Sequence, residues 1–267
     1  MVEHVLAKDE TGVRFSYPAP IKMAQSKIDA LKIPEYVTHV TETLEKANFE
    51  AFLVGGCVRD LIIGKEPKDW DITTNATPEQ IIALFEKTVY ENTFGTVGVC
   101  IPRISSGVTH VTADTENKAQ YNIVEVTPYR IEAKYSDNRH PDQVLFSKNI
   151  EDDLKRRDFT INAMAYSASK GHVIDLYKGQ SDLKDKVVRA VGNASDRFNE
   201  DALRMLRAVR FSTQLEFAIE YDTMQAIIEK AYLLENISKE RIRDELIKII
   251  ESRNPSMGIG LLSKLGL

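Results

Sequence analysis

Asp69 and Asp71 flank Trp70 in a segment whose Ile72, Thr73 and Thr74 favour extended backbone. On a strand alternate residues project from one face, so the two carboxylates point the same way. Like charges that close disfavour each other's ionisation unless a cation binds both. Hard oxygen donors suit Mg²⁺ carrying the phosphates of a nucleotide. Upstream, Ala51-Phe-Leu-Val54 reads as a short buried strand and runs into Gly55-Gly56-Cys57-Val58-Arg59-Asp60. Two glycines at a strand end let backbone N–H groups approach a bulky anion. The helix-compatible residues 58–63 add the partial positive charge of a helix start, and Arg59 adds a full one. A phosphate cradle followed by paired carboxylates implies phosphoryl or nucleotidyl transfer.

Further along, Arg157 has the planar fork that pairs with phosphate oxygens. Asp158 and Asn162, one helical turn apart, have the acceptors and donors for ribose hydroxyls. A single helix over 198–211 sets Glu200, Asp201, Arg204 and Arg207 on one face, and Ala202, Leu203, Met205, Leu206 and Val209 on the other. Read alone, that polar face is a solvent face laced with local ion pairs.

These stretches together carry a resemblance. The unbroken run FLVGGCVRDLIIGKEPKDWDITTNATPEQI resembles the head of the class II tRNA nucleotidyltransferase and bacterial poly(A) polymerase family. Arg156-Arg157-Asp158-Phe159-Thr160-Ile161-Asn162-Ala163 matches that family's second motif, and Glu200-Asp-Ala-Leu-Arg204 its nucleobase-selecting one. The resemblance implies that Gly55, Gly56 and Arg59 hold a triphosphate. Asp69, Asp71 and Glu125, the last in a Glu-Val-Thr context, would hold Mg²⁺. Asp201 and Arg204 would present a Watson–Crick-like edge, with Glu200 bracing Arg204 and Arg207 reaching the triphosphate. Cytosine and adenine both expose an exocyclic amine beside a ring-nitrogen acceptor, so one Asp–Arg pair selects CTP and ATP without a template. Asp137-Asn-Arg-His-Pro-Asp142 is similar to the flexible loop of the CCA-adding members, which disfavours a CC-only enzyme.

The elements that must position these residues are legible in outline. Residues 1–32 form an N-terminal extension with little periodicity. A helix from Pro34 to about residue 46 buries Val37, Val40 and Leu44, and Thr77-Pro-Glu-Gln80 opens another through a capping box. Strands are expected at 97–101, 108–111 and 121–127, a loop at 132–143, and short strands at 172–175 and 187–191. From about 193–196 the pattern is helical, with helices at 222–234 and 238–250. The fold class is α+β: a mixed-sheet nucleotidyltransferase head over 33–195, then an all-α neck over 196–267. The family's further C-terminal RNA-binding helical domains do not follow in this sequence.

The 267 residues suffice for a sizeable core, and 43% hydrophobic and 28% charged residues are ordinary for a globular chain. There is no long apolar run and no signal-peptide pattern, and no membrane or protein partner is inferred. Two cysteines, Cys57 and Cys100, give neither a zinc spacing nor a disulfide framework, which fits a cytoplasmic location. Cys57 reads as a packing residue rather than a nucleophile. A net charge of -5 excludes indiscriminate polyanion binding, so any RNA must meet a local basic face. The function expected is addition of CMP and AMP from CTP and ATP to the tRNA 3′ end. The alternatives are a poly(A) polymerase acting on other RNA, an enzyme that adds A alone, and an inactive RNA-binding relic.

Overall fold

The computed structural model describes residues 33–90, 95–103, 121–133 and 143–267, together with the backbone of two strands in the N-terminal extension. Those two, β1 (His4–Lys8) and β2 (Arg14–Pro18), form an antiparallel ladder where no regular element was expected. The strand expected at 108–111 and the Asp137–Asp142 motif lie outside the described residues.

Helix α1 (Glu35–Lys46) buries Val37, Val40 and Leu44 as the spacing requires, with Pro34 as its N-cap rather than its first residue. Strand β3 (Ala51–Val54) is buried along its whole length, and helix α2 (Gly56–Ile62) leaves it through Gly55. At Gly55 φ is +80, a backbone conformation that disfavours a Cβ. Strand β4 (Asp71–Thr74) and helix α3 (Pro78–Leu84) follow, the latter entered through the expected capping box of Thr77 and Gln80. Strands β5 (Thr88–Tyr90), β6 (Val97–Pro102) and β7 (Tyr121–Pro128) extend the sheet. Strands β8 (Arg130–Ala133) and β9 (Gln143–Phe146) pair with each other in a register that sets Ile131 opposite Leu145. Residues 132, 133 and 143, expected in a loop, are therefore strand, and the rest of that expected loop lies outside the described residues.

Helix α4 (Ile150–Lys155), a 3₁₀ turn at Thr160–Asn162, β10 (Met164–Ser167), β11 (His172–Asp175), α5 (Gly179–Asp185) and β12 (Val187–Val188) complete the first part. The main sheet has seven strands in the order β11-β10-β3-β4-β7-β6-β5. It is mixed: β4 runs parallel to β7, and the other neighbours are antiparallel. The glycine turn and the carboxylate strand are therefore adjacent in the middle of the sheet, where a central position holds them rigidly.

The helical part comprises α6 (Ala194–Glu200), α7 (Leu203–Leu215), α8 (Tyr221–Lys230), a 3₁₀ turn at Ala231–Asn236, α9 (Lys239–Ile250) and α10 (Pro255–Leu265). Strand β13 (Ala218–Ile219) pairs parallel with β12. The single helix expected over 198–211 is two. Asp201 is extended, at φ -144 and ψ 104, and its Oδ1 accepts the Leu203 backbone N–H at 3.1 Å. A carboxylate that satisfies an otherwise unpaired helix-start N–H favours such a break. Ile227 and Ile249 are buried as expected, whereas Ile228 and Ile250 are exposed. Ser238 precedes α9 without making a cap hydrogen bond.

One buried cluster runs without interruption from Val37 and Leu53 in the sheet layer to Val209, Ile249 and Leu265 in the helices. Phe159 and Phe211 meet edge to face across the junction, with centroids 5.8 Å apart at 80°. At Gly179 a Cβ would overlap the Thr160 carbonyl oxygen and stand 2.9 Å from the Met164 side chain. Gly179→Ala should therefore lower unfolding free energy by about 1–3 kcal/mol in urea denaturation, the usual range for overpacking. An unchanged midpoint would show that α5 does not press on the Thr160–Asn162 turn.

Candidate active site

A cleft of about 930 Å³ opens between the middle of the sheet and the helical part. That volume lies within the range of ligand pockets, roughly 300–1,000 Å³. Its floor is Gly55, Gly56, Asp69 and Asp71, and its opposite wall is Arg207, Arg210 and Phe211. Asp69 lies in a bend just before β4 rather than on the strand as expected, yet it lines the cleft with Asp71, and Trp70 between them is buried.

Asp71 is held above its ordinary pKa, first by burial and then by neighbouring Asp69, with Arg157 opposing them. A cation between the two carboxylates would favour the charged form against both causes. The pair fits a divalent ion by donor chemistry, with phosphate oxygens and water left to complete the shell. Glu125 lies opposite Asp71 in the β4–β7 register and donates its backbone N–H to the Trp70 carbonyl oxygen at 3.1 Å. It does not line the cleft. Among the described residues, no three His, Cys, Asp or Glu side chains stand close enough to share one ion.

Over the glycine turn sits Arg157. Its Nη1 occupies the space a Gly55 Cβ would need, 3.0 Å from that position, and its Nη2 donates to Asp153 at 2.9 Å. The Arg157 Nε is buried with no hydrogen-bond partner among the described residues. Asp153 is fully buried and also accepts from Arg156 at 2.5 and 3.0 Å. Asp153 was not singled out from sequence, although its i+3 and i+4 spacing to Arg156 and Arg157 carries the signal.

Arg59, Asn162, Asp158 and Arg207 form one hydrogen-bonded chain. Arg59 donates to Asn162 Oδ1 at 2.8 Å, and Asn162 Nδ2 donates to Asp158 Oδ1 at 3.2 Å. Arg207 donates to Asp158 Oδ2 through Nε at 2.8 Å and Nη2 at 2.6 Å. Asp158 and Asn162 come together through the 3₁₀ turn rather than through a turn of α-helix. Arg59, Arg207 and Arg210 all stand over the Phe211 ring, at 5.4, 5.4 and 4.4 Å from its centroid. Arg210 is lowered to about 10 by burial and then by Arg207. Its Nε lies 3.0 Å from Glu245 of α9 without the alignment of a hydrogen bond.

The expected base-reading residues stand beside the cleft rather than on its lining. Glu200 accepts from Arg204 Nη1 at 2.6 Å, as the expected brace does, and also pairs with Arg197. Arg204, 8% exposed, donates to the carbonyl oxygens of Arg197 at 3.2 Å and Arg156 at 3.0 Å. Asp201 pairs with Arg241 of α9. Lys65 and Lys68 from the sheet side, Lys248 of α9 and Arg253 of the bend after it line the cleft without having been selected from sequence. Lys65 and Lys68 lie within the glycine-to-aspartate run without having been given a role, and only the packing of α9 against α7 brings Lys248 and Arg253 there. Cys57 is buried and its thiol pushed up to about 12, first by burial and then by Asp71, which suits the packing role expected of it.

Burial alone would raise Asp153 and Asp158. Arg156 and Arg157 override it at Asp153, and Arg207 does so at Asp158, holding each carboxyl at about 2 against an ordinary 3.8. A depressed folded-state pKa stabilises the fold above the unfolded-state value. The contribution is lost as pH falls through the folded-state value, on the order of 2 kcal/mol per carboxylate. Unfolding free energy should therefore fall between pH 5 and 2, and Asp158→Asn should flatten that slope by roughly one bound proton. Parallel slopes for variant and wild type would contradict the assignment.

Comparison with known proteins gives the site its relatives. Residues 51–189 match the poly A polymerase head domain, and residues 216–267 match the probable RNA and SrmB-binding site of polymerase A. A CCA-adding enzyme of Lactiplantibacillus plantarum is 46% identical over 225 residues, 84% of this chain and 51% of that protein. One of Ligilactobacillus salivarius is 44% identical over 221 residues, 82% of this chain and 50% of that protein. The fold resembles the Bacillus stearothermophilus CCA-adding enzyme solved in complex with CTP. The TM-score is 0.73 at 37% identity, over 87% of this chain and 52% of that one. It also resembles the Thermotoga maritima CCA-adding enzyme complexed with tRNA_CCA, at TM-score 0.70 and 25% identity, over 90% and 53%. The chain thus spans about half the length of the curated relatives it matches. With a glycine turn, a carboxylate strand and a second motif set around one cleft, the chain belongs to the poly A polymerase head domain family.

Proposed function

We propose that this chain adds CMP and AMP, from CTP and ATP, to the 3′ end of tRNA without a template. The observation that carries this reading is Arg157. Its guanidinium stands over the glycine turn, braced by Asp153, beside Asp71 and with a buried N–H unpartnered among the described residues. That is a grip for a phosphate set against paired carboxylates. The relatives named as CCA-adding enzymes, and the related structures with CTP, ATP and tRNA_CCA, support the choice of substrates.

In this reading residues 33–195 are the catalytic head and 196–267 the neck. Gly55, Gly56, Arg59, Arg157 and Arg207 hold the triphosphate, while Asp158 and Asn162 meet the ribose. Asp201 and Arg204 meet the base, with Glu200 holding Arg204 in place. Divalent metals are the cofactor class of the family's nucleotidyltransferases. Mg²⁺ is the ion proposed here, held by Asp69 and Asp71 with Glu125 as a third candidate on the adjoining strand. When bound, such ions neutralise phosphate charge and activate an attacking hydroxyl. The protein's own part is to line up the α-phosphate with the RNA 3′ hydroxyl and to hold the leaving pyrophosphate with arginines. No helix among the described residues is long and apolar enough to cross a membrane, and a cytoplasmic location is proposed.

Single-nucleotide extension tests the reading, with tRNA ending at its discriminator base, tRNA at its CC stage, and a plain oligonucleotide. Two C additions and then one A, on tRNA alone, are expected. Asp69→Ala and Asp71→Ala should each lower the rate by about 10²-fold or more, the equivalent of several kcal/mol of lost charge stabilisation. Growth with A alone on any RNA would make the chain a poly(A) polymerase, and A alone at the CC stage an A-adding enzyme. Full activity in both aspartate variants would sink the carboxylate assignment.

A further inference from the structure

Asp201 stands at the break between α6 and α7, where no helical ladder fixes its direction. What fixes it comes from 40 residues further along the chain. Arg241, in the first turn of α9, donates from Nη2 to Oδ2 at 2.9 Å and from Nη1 to Oδ1 at 3.3 Å. The Leu203 backbone N–H takes a second position on Oδ1. A guanidinium that meets both oxygens sets the plane of a carboxylate as well as its place, which an ammonium does not do.

Anchoring α9 does not require this pair. The helix is already fastened by buried Ile249 and by Glu245, which is 3% exposed between Arg210 and Lys248. The Arg241 and Asp201 side chains are 27% and 17% exposed, so the pair is partly shielded from solvent and holds its geometry. Its distinctive effect is directional. Arg204 is oriented separately, by Glu200 and by the Arg156 and Arg197 carbonyl oxygens. The two expected base readers therefore have two independent supports, one local and one from α9.

We infer that Arg241 is a positioning residue for nucleobase selection, holding the Asp201 carboxylate so that its Oδ2 faces an exocyclic amine. This rests on the proposed role of Asp201 as base reader. Cytosine and adenine offer an amine donor there and a ring-nitrogen acceptor next to it, whereas uracil offers the reverse order. A carboxylate freed to rotate also accepts the ring N–H of uracil, so loss of Arg241 relaxes selection instead of abolishing binding. The ligand class rejected through Arg241 is thus the uridine nucleotide, and the triphosphate grip is untouched.

Equilibrium binding of CTP, UTP and inorganic tripolyphosphate to the whole chain tests this, on wild type, Arg241→Ala, Arg241→Lys and Asp201→Ala. Arg241→Ala should lower the CTP-to-UTP affinity ratio about 10-fold, leaving tripolyphosphate binding unchanged. Arg241→Lys should fail to restore the ratio, and millimolar guanidinium added to Arg241→Ala should recover part of it. A ratio preserved in Arg241→Ala but lost in Asp201→Ala would overturn the inference and leave the base-reading role standing. A ratio preserved in Asp201→Ala would overturn that role itself, and this inference with it. An equal loss for all three ligands in both Arg241 variants would make Arg241 merely structural.

Discussion

The ion pair of buried Asp158 with Arg207 is the contact on which the site depends. Asp158 belongs to the chain segment that supports the sheet, and Arg207 to a helix beyond the point where the fold turns all-helical. Removing Arg207 would leave the Asp158 charge buried without its main partner, at a cost of several kcal/mol. The pair therefore fixes how the helical wall stands over the glycine turn. It also passes orientation on: Asn162 lies against Asp158, and Arg59 against Asn162. Three segments distant in sequence thus present their polar groups to one cleft as a connected set.

Around that chain the cleft is charged in two halves. Asp69 and Asp71 make an anionic floor, and Arg157, Arg207 and Arg210 make cationic walls. Most of the wall charges have a carboxylate of their own: Asp153 for Arg157, Asp158 for Arg207, Glu245 for Arg210. The balance is incomplete where it matters for binding. Asp71 remains disfavoured by burial and by Asp69, and the Arg157 and Arg210 Nε groups are buried without hydrogen-bond partners among the described residues. Phe211 keeps the arginines apart while its ring face attracts them, so they crowd without collapsing onto one carboxylate. A metal-bound polyphosphate carries the charges that complete both halves at once.

Much of this was legible in the sequence because the signals were local. A glycine pair at a strand end and the Thr77–Gln80 capping box depend on neighbours a few residues away, and both stand as read, whereas the strand expected to carry Asp69 as well as Asp71 begins only at Asp71. The reading failed where one local rule competed with another. The 198–211 stretch has helical periodicity throughout, yet the Asp201 side chain takes a helix-start N–H and ends the first helix. Long-range partners were out of reach altogether. Nothing near Arg241, Lys248 or Arg253 in the chain says that α9 will lie against α7 and turn them toward Asp201 or the cleft.

The break at Asp201 explains why selection would need support from α9. In an unbroken helix Asp201 and Arg204 would lie one turn apart on a rigid cylinder, and their spacing would be fixed by the backbone alone. With Asp201 extended, its carboxylate is free of that cylinder and reaches further, but its direction is no longer set by its own helix. Arg241 returns the direction without returning the rigidity. If Asp201 and Arg204 read the base as proposed, a carboxylate held in this way would meet the amine of a pyrimidine and that of a purine, which lie at different distances from the sugar.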